Sequence, residues 1–206
     1  MYTPTYFKNE NIEDLREFIS HIGFGILVSQ VDKKLWATHL PFILTENNKL
    51  LGHISRGNKQ WRDLVHGEDV MAIFTGPHAY ISSSWYDHEN VPTWNYQAVH
   101  VSGKAKIIEG EELMDSLRML TSKYEKNSVH PVSVDTMSKE FLETEIRQIV
   151  GIKIDVDRME ASYKLSQNRD EKNHATIISE LEKRKDENST AIAAQMIKYG
   201  CRKKQE

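Results

Sequence analysis

From Phe24 onward the chain is built of short runs of β-branched and aromatic residues separated by polar turn clusters. FGILVSQV (24–31), KLWATHLPFIL (34–44), LLGHIS (50–55) and VMAIFTG (70–76) therefore read as strands. The turns between them are Asp32-Lys33-Lys34, Glu46-Asn47-Asn48-Lys49 and Arg56-Gly57-Asn58. Short strands are expected to continue over His78–Ser83 and Tyr96–Ile108. In the second, Val99, Val101, Gly103, Ala105 and Ile107 fall on one side, against His100, Ser102, Lys104 and Lys106. Val150, Ile152, Ile154 and Val156 alternate with Lys153, Asp155 and Asp157 as a late half-buried strand.

Helical spacing brackets these runs. It predicts a helix over Asn9–Ser20, with Ile12, Leu15, Phe18 and Ile19 on one face and Glu13 and Asp14 at the favourable end of the dipole. Leu113, Leu117, Leu120 and Tyr124 line up over Glu111–Tyr124. Ser138 should cap a helix to Gln148, its inner face made of Phe141, Leu142, Ile146 and Ile149. After Asn168 the chain turns polar and helical, over Glu171–Lys185 and Ser189–Tyr199. Strands at this spacing, with no helix between each pair, imply an antiparallel sheet, and closure into a barrel disposes of its edges. The expected class is α+β and mainly β. Residues 1–169 would form the barrel with its inserted helices, and residues 170–206 a C-terminal helical tail.

Composition narrows the function. A formal charge of -3 does not favour a surface coated for nucleic acid. The tail is the exception, with seven Lys or Arg against three Asp or Glu over residues 183–206, including Lys183-Arg184-Lys185 and Arg202-Lys203-Lys204. That admits a DNA contact, but a solvated tail packed on the barrel accounts for it more simply. The single cysteine, Cys201, cannot pair internally. No signal-peptide pattern opens the sequence, and no run approaches the roughly 20 apolar residues of a membrane span. A cytoplasmic protein is expected.

Five polar-aromatic segments interrupt the apolar pattern: THLPF (38–42), GHISRGNKQW (52–61), GPHAYISSSWY (76–86), VPTWNY (91–96) and YKLSQNR (163–169). Rings beside amide, hydroxyl and cationic donors suit a flat heteroaromatic ligand carrying a phosphate. The stretch Ser55–Arg62 is the strongest anion candidate, with Arg56, Lys59 and Arg62 around a glycine able to take positive φ. An exposed basic turn without a ligand accounts for the same residues. It lacks the spacing of a P-loop, no histidines have HExxH or zinc-site spacing, and Ser82–Ser84 lies in no nucleophile elbow. No metal is expected.

In order and spacing these segments, extended to VPTWNYQAVHVSGKA and VGIKIDVDRMEASYKLSQNR, resemble the PaiB family, described as FMN-binding negative transcriptional regulators. The similarity runs from about Met1 to Leu181. It implies the split barrel shared with pyridoxamine 5′-phosphate oxidases, a homodimer, and FMN at its interface. It also implies that Arg56, Asn58 and Lys59, with Gln60 adjacent, hold the phosphate, and that Thr38 and His39 lie along the ring. Lys164, Ser166 and Gln167 would close the site, and Trp94 and Asn95 belong to a further matching motif. The family is associated with control of sporulation and degradative-enzyme genes, and no pyridoxal-phosphate substrate site or helix-turn-helix is matched here. Two rivals stay open: an FMN-dependent oxidoreductase acting on a small molecule, and a haem-binding barrel using His39, His53, His78 or His100.

Overall fold

The computed structural model describes residues 1–65 and 67–201. The strands are β1 (Lys8–Asn9), β2 (Phe24–Val31), β3 (Lys34–Leu44), β4 (Lys49–Ser55), β5 (Asp69–Ile81), β6 (Thr93–Ile108) and β7 (Ile149–Lys164). The helices are α1 (Ile12–Ile22), α2 (Gly110–Glu125), α3 (Lys139–Ile146), α4 (Glu171–Arg184) and α5 (Glu187–Tyr199). The sheet order is β1-β7-β4-β3-β2-β5-β6, and a further β7–β6 pairing closes β2 to β7 on themselves. This is the antiparallel barrel with helices that the strand pattern implied, in the split form that the resemblance implied.

β2 and β3 form as read because their apolar runs end at a two-residue turn, Asp32-Lys33, with both φ angles positive. The turn sets Val31 opposite Lys34 and Ile26 opposite His39. Other boundaries differ from the sequence reading. The expected strand at His78 is the continuation of β5, which runs through Pro77 without a break. α1 starts at Ile12, because Asn9 pairs with Ala161 in β1 and the Asn11 side chain accepts from the Glu13 amide. Ile12 is exposed, while Leu15 and Ile19 are buried. In β6 the alternation holds to Ala105 and then shifts, so that Ile108 is buried instead of Ile107. α3 has its Ser138 cap but buries nothing, and Phe141 is largely exposed. Leu142 and Ile146 on the same face are half-buried, and Ile149 belongs to β7.

The chain divides into two compact units. One comprises Met1–Leu15, Thr75–Val99 and the chain from Glu160 onward. Its core includes Ile81, Val99, Tyr163 and Leu165, together with Ile177 and Leu181 of α4 and Ile192 and Met196 of α5. The helical tail is therefore part of a core. Lys183 pairs with Glu180, and Arg184 donates to the Tyr80 carbonyl and stacks on Trp85. The Arg202–Lys204 cluster lies outside the described residues. The other unit comprises Arg16–Phe74 and His100–Met159. Phe42 and Phe74 meet edge to face there, with Leu27, Leu50, Ile152 and Ile154 fully buried around the strands.

Each unit holds a histidine whose charged form is disfavoured. In β4, burial lowers the His53 pKa, and its Nδ1 has no partner among the described residues. In α4, burial does the same to His174, against the hydrogen bond it makes with the backbone of Leu165. Folded pKa values below the unfolded 6.5 mean that the unfolded chain takes up protons first. Stability is then full above about pH 6.5 and declines as the pH falls below it. Urea midpoints at pH 7.5 and 5.5 should show this decline, and His53→Gln should make it shallower. An unchanged pH slope in the variant would exclude His53 as a source.

Candidate functional site

The second unit carries the segment that follows β4. Ser55 accepts from the Gly57 and Asn58 amides, through Oγ at 3.2 Å and the carbonyl at 2.9 Å. Gly57 does not take positive φ, contrary to the sequence expectation, and a methyl group there would meet nothing nearer than 3.6 Å. Asn58 caps the short helical turn Lys59–Leu64 by accepting from the Gln60 amide at 3.0 Å, and its Nδ2 donates to Thr38 Oγ1 at 2.7 Å. That second bond ties the loop to β3. Gln60 is wholly buried and donates to the Leu27 carbonyl at 3.2 Å and Ser29 Oγ at 2.9 Å, pinning the turn to β2. These partners on β2 had no signal in the sequence.

The cations divide by role. Arg56 donates from Nε to the Arg147 carbonyl at 2.9 Å and from Nη2 to the Ile149 carbonyl at 3.0 Å, so it braces the start of β7. Trp61 donates to the Arg56 carbonyl, and its ring has the guanidinium groups of Arg56 and Arg62 at 5.9 and 5.8 Å. Lys59 is exposed and has no hydrogen-bond or ion-pair partner among the described residues. His39, also exposed, stacks on Phe24 at 6.2 Å. The structure thus joins Thr38, Asn58 and Gln60 in one network beside Arg56 and leaves Lys59 presented by it.

Fit to a flavin phosphate can be judged from these donors. Lys59 offers a charge with nothing else to neutralise it, Arg62 adds a second, and the Thr38 hydroxyl, which accepts from Asn58, retains its own hydrogen. The Asn58 oxygen and the Gly57 and Asn58 amides are already used and are not spare donors. A cavity of the unit, about 930 Å³, is a poorer match. Asp32, Asp63, Glu68, Asp69 and Asp157 line it against Lys33, Arg62 and Arg158, a balance that repels a phosphate, and Thr38, His39, Arg56, Asn58 and Lys59 are not on its walls.

The first unit holds the remaining candidates around the end of β7. Lys164 donates to Thr93 Oγ1 at 2.5 Å and to the Trp94 carbonyl at 2.7 Å, above the ring of Phe7. Burial, with Arg169 nearby, pushes its pKa down to about 8. Ser166, at φ 60°, donates to Asn95 Oδ1 at 3.1 Å, and Asn95 is itself fully buried against Met196. Gln167 closes the turn on itself, accepting from the Leu165 amide and donating to the Tyr163 carbonyl. Asn95, Ser166 and Gln167 therefore shape the turn that sets Lys164. Trp94 is half-exposed and meets Tyr80 edge to face, with His78 at 6.0 Å.

Residues 1–158 match the family described as "Putative FMN-binding domain". Over 199 residues the chain is 45% identical to "Protease synthase and sporulation protein PAI 2" of Bacillus subtilis (strain 168), covering 95% of this chain and 96% of that protein. Two solved structures share the fold at low identity. The FAD and heme binding protein from Mycobacterium smegmatis has a TM-score of 0.61 at 14% identity, over 76% of this chain and 73% of that one. The flavocytochrome Anf3 from Azotobacter vinelandii has a TM-score of 0.60 at 15% identity, over 84% and 78%. A family match over most of the chain, beside a relative aligned nearly end to end, makes this chain a member of the PaiB family, whose domain is described as FMN-binding.

Proposed function

We propose that this protein is a cytoplasmic negative transcriptional regulator of sporulation and degradative-enzyme genes, built on a dimeric barrel that binds FMN. The observation that carries the regulatory part is the relative whose name joins protease synthesis and sporulation and which aligns over nearly both whole chains. The unpaired Lys59, held out by the Thr38–Asn58–Gln60 network, supports the flavin part. In this reading Lys59 and Arg62 bind the phosphate, the Thr38 hydroxyl donates to it, and His39 lies along the ring. Arg56, Asn58 and Gln60 fix the loop that presents them. Lys164, positioned by Asn95, Ser166 and Gln167, is a separate cation of the first unit's own turn. Bound FMN would supply a redox-active ring, usable as sensor or as structural cofactor.

The dimer is supported by β3. Residues 34–41 pair with β2 alone, since the pairing with β4 begins at Phe42. Their other edge has no strand among the described residues, and Leu35 is 79% exposed beside Trp36. An open apolar edge invites another chain unless something covers it, and a twin is the occupant proposed here. The engagement of Lys183 and Arg184 within their own unit argues that these two residues are structural and do not read an operator.

One experiment addresses both parts. In sedimentation equilibrium of the FMN-reconstituted protein, flavin absorbance should travel with a dimer at micromolar concentration, and Trp36→Asp should shift it toward monomer. A wild-type monomer, or flavin that stays at the meniscus while added haemin sediments with the protein, would contradict the reading.

A further inference from the structure

A second cavity of the same unit, about 540 Å³, takes no part in that reading. Its apolar wall is Ile43, Leu44 and Met119, and its cations are Arg118, Lys123 and Lys126. Two serine hydroxyls complete it, and no carboxylate lines it. Arg118 is already neutralised, because Glu111, Asp115 and Asp135 all lie within 2.8 Å of it. The two lysines are different. Neither amine has a hydrogen-bond or ion-pair partner among the described residues, and Lys123 lies beside the ring of Tyr124, its nitrogen 5.1 Å from the centroid. Lys123 is also packed against Gly23, where a methyl group would sit 2.6 Å from Nζ. Burial accordingly lowers its pKa.

Cations in the last turn of a helix complement its dipole, which accounts for a basic residue at these positions of α2. It does not account for an ammonium turned into a recess and left without an anion, above an apolar wall. Partly desolvated charge is costly until a counter-charge joins it. We propose that this cavity binds a small soluble amphiphilic anion, its carboxylate or phosphate head on Lys123 and Lys126 and its short apolar tail on Ile43, Leu44 and Met119. The volume falls within the range of small-molecule sites. The proposal stands independently of the flavin assignment.

Calorimetric titration of the full chain with octyl phosphate, inorganic phosphate and octanol tests it. Octyl phosphate should bind at least tenfold tighter than either of the others. Lys123→Gln combined with Lys126→Gln should weaken it at least tenfold and leave FMN affinity unchanged. Met119→Glu, at an exposed position, should do the same by placing a carboxylate against the head group. Octyl phosphate binding no tighter than inorganic phosphate, equal affinity in the double variant, or binding only to phosphatidylglycerol vesicles would each overturn it.

Discussion

Replacing Gly103 by alanine should destabilise the fold by about 3 kcal/mol, the upper range for forcing atoms into a packed core. A methyl carbon at 103 would lie 2.1 Å from the Asp155 carbonyl oxygen and 3.0 Å from Ile154 Cγ2. The obstacle is backbone, so no rotamer change relieves it, and β6 must move away from β7. That movement also disturbs Asp155, whose carboxylate holds Lys49 at 2.5 Å and Lys106 at 2.9 Å and has its pKa lowered to about 2 by them. Gly103 is not needed for its φ, so the whole effect comes from close approach. Gly57→Ala is the control: a methyl group there makes only an ordinary contact with Ser55 Oγ at 3.6 Å, so the change should stay within about 0.5 kcal/mol. Urea unfolding of both variants measures the difference, and equal midpoints would show that the strands do not approach as described.

The second large effect is on ligand affinity. Lys59→Ala should weaken FMN about ten- to a hundredfold while barely changing riboflavin, because a hydrogen bond to a charged group contributes roughly 1.5–3 kcal/mol. Arg56→Ala should act differently. Its guanidinium holds the Arg147 and Ile149 carbonyls, so its loss should lower stability first and affinity only through the loosened loop. Flavin-fluorescence titration alongside thermal melts separates the two. A Lys59→Ala protein that binds both ligands like wild type would reduce the loop to an ordinary solvated turn.

The sheet was legible in the sequence where burial and turn chemistry agree. β2 and β3 are apolar runs meeting at Asp32-Lys33, and their boundaries come out to the residue. Periodicity failed at α3, where the helical apolar face leaves Phe141 exposed and Leu142 and Ile146 only half-buried, because spacing reports a face and not its partner. The candidate segments could be picked out in the sequence, but the partners of their side chains could not. Asn58, Gln60, Asn95, Ser166 and Gln167 read as ligand donors, since an amide or hydroxyl that grips a ligand has the same letter as one that locks a loop. Only three-dimensional partners distinguish them, and here Leu27, Ser29, Tyr163 and Met196 are those partners. Lys59 stands out by the opposite property, a charge with no partner among the described residues.

Recognition of a flavin phosphate by the loop after β4 is tested most directly by the affinity of the wild-type protein for FMN against riboflavin. The two ligands share the ring and differ in the phosphate. With Lys59 and Arg62 both contributing, FMN should bind tighter by about 3 kcal/mol or more, roughly a hundredfold at least. The preference should shrink in high salt, since both cations are exposed. Equal affinity for FMN and riboflavin would contradict the assignment, whatever the variants did.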